Sequence, residues 1–161
     1  MHFNGKYFVA GLAIVFLGGG IPLAYSKYYS YQDKYWSAEL NCSWSDARKY
    51  NQIFERGDKD DSLGESDWAE LEKAKLSPNV KLRMNLPYLL GGISARKSPQ
   101  RRRVVDFLAS LTQDQSGLVR ANALSVLRLY DEQEAKKQAS LLIHDQDGAV
   151  ERVVKEVLSS S

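Results

Sequence analysis

SPNVKLRMNLPYLL at residues 77–90, DQSGLVRANALSVL at 114–127 and DQDGAVERVVKEVL at 145–158 are three versions of one phrase. Aligned without gaps, Leu82, Val119 and Val150 coincide, as do Leu86, Ala123 and Val154, and then Leu90, Leu127 and Leu158. Apolar residues recurring every four positions mark one face of a helix. Starts separated by 37 and 31 residues leave room for a second helix in each interval, the length of a helical hairpin. The intervals supply it: Val104, Val105, Leu108 and Leu111 form one apolar face within 100–111, and Ala135, Ala139, Leu142 and Ile143 form another within 132–143.

Working outward, residues 43–56 place Trp44, Ala47, Tyr50, Ile53 and Phe54 at helical spacing, with Ser43 or Ser45 as cap. The run GDKDDSLGES is loop chemistry, and residues 67–75 read as a further helix with Asp67 and Glu70 spaced as a capping box. A helix, an acidic loop and a helix also suit calcium. Asp58, Asp60, Ser62, Asp67 and Glu70 are candidate oxygen ligands around Gly64, although that glycine falls seventh and Glu70 thirteenth from Asp58. An EF-hand loop has them sixth and twelfth.

The openings Asp114-Gln115-Ser116-Gly117-Leu118-Val119-Arg120 and Asp145-Gln146-Asp147-Gly148-Ala149-Val150 resemble the D-x-D-G-x-V-R start of short HEAT repeats, of the kind also found in bilin-lyase-like proteins. The resemblance covers about half the chain. It implies a short α-solenoid whose surface contacts other proteins. Physical reasons accompany it: Asp can cap a helix, Gly permits a tight turn, the apolar positions line the core, and Arg can bridge neighbouring turns. The first copy departs with Ser77-Pro78-Asn79 in place of the acidic turn and Pro87 inside the helix; the last has Glu151 where Arg is expected. No residue ties the chain to bilin chemistry, so that association is not carried over.

Residues 7–25 form an uncharged run, YFVAGLAIVFLGGGIPLAY, long enough as a helix to cross a hydrocarbon core of about 30 Å. The aromatic residues Tyr25, Tyr28, Tyr29, Tyr31, Tyr35 and Trp36 follow, and such side chains suit a membrane interface. The expected fold class is therefore all-α, with a single N-terminal transmembrane helix followed by a small α-solenoid of HEAT-like helical hairpins. Residues 1–26 would be the tail and anchor, 27–42 an aromatic stalk, 43–76 the helix, acidic loop and helix, and 77–161 the repeats. Localisation would be a single-pass membrane protein, with the side of the C-terminal part left open. A cleaved signal peptide is the alternative, since Lys6 precedes the apolar run and Ala24-Tyr25-Ser26 follows the small-residue grammar of a cleavage site.

Composition narrows the function. The 161 residues carry a net charge of +2, too balanced to mark a nucleic-acid partner. A single cysteine, Cys42, and the two histidines His2 and His144 offer neither a disulfide nor a compact zinc set. Gly-rich phosphate loops and GxSxG motifs are absent from the sequence, so no enzyme activity and no cofactor are expected. Charge is uneven, however: residues 77–161 hold 13 basic and 9 acidic side chains. Arg96, Lys97, Arg101, Arg102 and Arg103 cluster at a hairpin turn, and three arginines at the positive end of a helix call for an anion. A lipid headgroup or an acidic protein surface would fit. The expected role is a membrane-anchored scaffold or accessory subunit that binds protein subunits of a larger complex.

Overall fold

The computed structural model describes residues 34, 37–90, 93 and 98–160. Among them are seven helices: α1 (Trp44–Asp60), α2 (Glu65–Lys75), α3 (Val80–Leu89), α4 (Arg101–Leu111), α5 (Gly117–Tyr130), α6 (Glu132–Leu141) and α7 (Gly148–Ser159). Residues 37–40 add a short helical turn before α1. No strand occurs among the described residues, as the apolar spacing of three and four predicts.

The transmembrane part of the expectation needs correcting. No helix among the described residues is long and apolar enough to cross a membrane. The longest, α1, has 17 residues and carries charged side chains along its length, whereas a span needs about 20 mostly apolar ones. The single-pass arrangement and the membrane localisation built on it therefore do not stand. Residues 7–25 and the aromatic set Tyr25, Tyr28, Tyr29, Tyr31, Tyr35 and Trp36 lie outside the described residues.

Each of the three related segments forms a helix, and α3, α5 and α7 stand in one row, with α1 beside α3. Helices α2, α4 and α6 form a second layer behind them, packing on α3, on α5, and on both α5 and α7 respectively. Within that layer the Trp68 ring meets Phe107 edge-on, with centroids 6.0 Å apart. Helix α5 is the hub, touching α3, α4, α6 and α7. Its buried positions Val119, Ala121, Ala123, Leu124, Val126, Leu127 and Tyr130 cover more than half of its circumference, as a helix with several neighbours requires, and Leu118 and Leu129 lie on the face left open. Leu40, Ile53, Trp68 and Leu71 join the same core as Leu108, Leu127 and Val154, so the middle helices and the repeats share one interior.

The aligned apolar positions behave as one set: Leu82, Val119 and Val150 are buried, as are Leu86, Ala123 and Val154, and Leu90 and Leu127. Leu158, the third member of the last set, is 40% exposed, with no helix packed beyond α7 among the described residues. Two local expectations shift. Helix α1 continues through Asp60 and stops where Asp61 takes a left-handed backbone (φ 50°). Helix α2 starts at Glu65, because Asp67 acts as the third residue of the capping box and accepts the Gly64 N–H.

Repetition extends to polar contacts. The Arg83 guanidinium forks onto Asp114, with Nε 2.7 Å and Nη2 3.1 Å from its two carboxylate oxygens, and also donates to the Ser77 carbonyl. One step along, Arg120 forks onto Asp145 at 2.8 Å on both arms and donates to the Asp114 carbonyl at 2.7 Å. Each arginine in the first turn or so of one helix therefore binds the acidic turn that opens the next. Glu151 ends the series, pairing instead with Lys155 on its own helix. Gly117 is required by the same geometry: a Cβ there would lie 2.0 Å from Asp147 Oδ2, whereas at Gly148 it would meet nothing within 4 Å.

The Arg83 and Asp114 side chains are only 4% and 8% exposed. Removing one partner of such a pair strands a buried charge, whereas replacing both with apolar groups of similar volume removes the need for either. Arg83→Ala should cost about 3–5 kcal/mol in urea unfolding, while Arg83→Met combined with Asp114→Leu should cost far less. Equal losses in the two variants would mean that the fork is not an isolated buried pair.

Candidate functional site

The sequence-level candidates fall into separate places. Arg96 and Lys97 lie outside the described residues. Arg101, Arg102 and Arg103 occupy the first turn of α4 and diverge. Arg101 Nε donates to the Tyr130 carbonyl at 2.8 Å, and Arg102 pairs with Asp106 at 2.8 Å. Arg103 forks onto Glu65 and lies 4.7 Å from the centroid of the Trp68 ring. The anionic charge that the α4 N-terminus calls for is thus supplied by the chain itself, and the arginines tie α4 to α2 and to the α5–α6 turn. The Arg103 contact holds the Glu65 carboxyl below its ordinary range.

Of the five oxygen ligands proposed for calcium, Asp58 and Asp60 belong to the last turns of α1. The Ser62 hydroxyl donates to the Asp60 carbonyl. Asp67 accepts from Arg56 Nε at 3.0 Å and from the Gly64 N–H at 3.2 Å, and Glu70 accepts from Lys49 at 3.0 Å. Among the described residues no group of three or more His, Cys, Asp or Glu could hold a metal ion. Gln100 closes this region, accepting from the Leu63 N–H and the Trp68 indole and donating to the Leu63 carbonyl. Cys42 is half-buried, and burial, reinforced by Asp46, pushes its thiol up, away from the reactive thiolate.

The structure instead brings together the turns that open α3, α5 and α7. They share a construction: Ser77 Oγ accepts from the Asn79 N–H, Asp114 Oδ1 from the Ser116 N–H and Asp145 Oδ1 from the Asp147 N–H. The expectation that the first aspartate caps its helix is corrected accordingly. Asp114 and Asp145 brace the turn and receive the arginine fork, while Asp147 caps α7 through the Ala149 N–H. Because Arg83 reaches Asp114 and Arg120 reaches Asp145, the N-terminal ends of the three helices lie side by side along one edge.

That edge is apolar in an unexpected way. Leu76, Val80, Leu118, Leu141 and Ile143 sit at its three turns and are between 42% and 83% exposed. They account for most of the large exposed apolar side chains among the described residues, the others being Tyr88, Leu129 and Leu158. An open depression lined by Asn41, Pro78, Asn79, Val80 and Lys81 lies at its first turn, where Asn79 Nδ2 donates to the Leu40 and Asn41 carbonyls.

Sequence reasoning missed this set and placed Ile143 on the core face of its helix. The helix ends at Leu141, so Ile143 leaves the apolar stripe and turns outward, while Ala135, Ala139 and Leu142 are buried as expected. A readable signal existed at the second residue of the related helices: Lys81 and Leu118 there are exposed, whereas the small Ala149 packs partly against the core. No protein-family model matches the chain, and no curated protein or solved structure matches it.

The edge depends on its forks, and one of them carries a pH signature. The Arg120 guanidinium, helped by the Asp147 N–H, holds the Asp145 carboxyl below its ordinary range. A lowered folded-state pKa contributes stability that is complete above the unfolded value of about 3.9 and disappears as pH falls through the folded value. Stability measured by urea unfolding should therefore fall below about pH 5. Asp145→Asn should be less stable at neutral pH yet lose less on acidification; parallel curves for the two proteins would remove the fork from the acid response.

Proposed function

We propose that this chain is a protein-binding scaffold, an accessory module of a larger assembly, and that its contact surface is the edge carrying Leu76, Val80, Leu118, Leu141 and Ile143. The observation that carries the reading is their exposure at the three turns beside buried, self-satisfied forks. Exposed apolar side chains gathered along one border mark surfaces that another protein covers. The resemblance of the turns to the start of short HEAT repeats supports the same use, since such repeats offer an extended surface for protein contacts. A binding role also suits the depression at Val80, which is open rather than enclosed, whereas small-molecule sites usually bury most of their ligand.

The test is co-purification from the native source with a tag at Ser161, comparing the unaltered chain with Leu118→Asp combined with Ile143→Asp. Both positions are exposed, so the variant should keep its melting temperature within the small range typical of surface changes. A stoichiometric partner retained by the unaltered chain and lost by the folded variant is the expected result. A partner held equally by both places the contact elsewhere.

A further inference from the structure

The apolar edge is not uniform along its length. Position by position, the first turn carries Lys73, Leu76, Val80 and Lys81; the second carries Ser110, Gln113 and Leu118; the third carries Leu141, Ile143 and His144. Its aspartates are engaged internally, Asp114 on Arg83, Asp145 on Arg120 and Asp147 at the third turn on the Ala149 N–H. Glu72 pairs with Lys75 at 2.7 Å, and Lys75 also donates to Ser110 Oγ and lies over the Phe107 ring. Lys73 and Lys81 remain: both are exposed, and among the described residues neither side chain has a hydrogen-bonding or ion-pairing partner. The edge therefore presents apolar side chains at all three turns and, at its first, two lysines without a partner among the described residues.

We propose that the partner segment received by this edge is an acidic amphipathic helix, with leucine-like side chains on Leu118, Leu141 and Ile143 and carboxylates facing Lys73 and Lys81. The inference rests on reading the edge as a protein-contact surface and adds the chemistry of what it contacts. Charge complementarity steers the encounter and fixes register, while apolar burial supplies the affinity. An anionic bilayer is the rival with similar chemistry, but recruitment to one typically takes clusters of about 4–8 basic residues, and on this edge, among the described residues, two lysines are left unpaired.

The test uses the full chain and two labelled synthetic peptides of equal length, with the same leucine stripe and flanked either by glutamates or by lysines. Fluorescence anisotropy should show the glutamate peptide binding about tenfold or more tightly than the lysine peptide, with the ratio shrinking as salt screens the lysines. Lys73→Glu combined with Lys81→Glu should reverse the preference. Lys73→Gln combined with Lys81→Gln should abolish it, and serves as the milder replacement. Equal binding of the two peptides would overturn the acidic partner while leaving the contact edge in place, and binding of neither would remove both. Association with phosphatidylserine vesicles without binding of the glutamate peptide would replace the protein partner with a lipid surface.

Discussion

Two buried ion pairs, Arg83 with Asp114 and Arg120 with Asp145, set the register of the helical row. Each guanidinium uses both arms on one carboxylate and a further nitrogen on the carbonyl that opens its own turn, so nearly all its donors are engaged. Bidentate geometry of this kind fixes direction as well as distance, which a loosely packed apolar contact between helices does not. The apolar sets along α3, α5 and α7 supply most of the burial, but helices can slide by a turn and still bury leucine against leucine. The forks oppose that slide, because a shift would part each guanidinium from its carboxylate and would strand the charge of Arg83, which is 3% exposed.

Two consequences follow for the surface. Aligned helix starts bring three turns into one line, and apolar residues displaced from the stripes are exposed at each of those turns. The arginine series also does not continue into α7. At the position of the arginine, α7 carries Glu151, which closes on Lys155, and its outer side shows Arg152 and Glu156 to solvent.

Much of the architecture was legible in the residues. The helical spacing of Val104, Val105, Leu108 and Leu111 located α4, and the repeated turns located the starts of α5 and α7 to within a few residues. Arginine bridging between turns could be anticipated from its recurrence beside the aligned apolar position. What resisted reading was everything set by partners distant in sequence. Arg101, Arg102 and Arg103 look like an anion site in one dimension, yet Asp131 and Glu65, far away along the chain, meet two of them in space. The acidic residues around Gly64 look like a metal loop until Arg56 and Lys49 claim Asp67 and Glu70. The apolar edge was hidden for the opposite reason: hydrophobic residues next to a helix boundary read as core unless the boundary itself is known to within one residue.

The most direct test of this account is the exchange of arginine Nε protons followed by nuclear magnetic resonance under native conditions. The forks predict that the Nε–H groups of Arg83 and Arg120 exchange far more slowly than that of the exposed Arg102, and that each is slowed only while its aspartate is intact. Rapid exchange at Arg83 and Arg120, at the rate of a solvated side chain, would contradict the claim that buried forks hold the three helix starts in line.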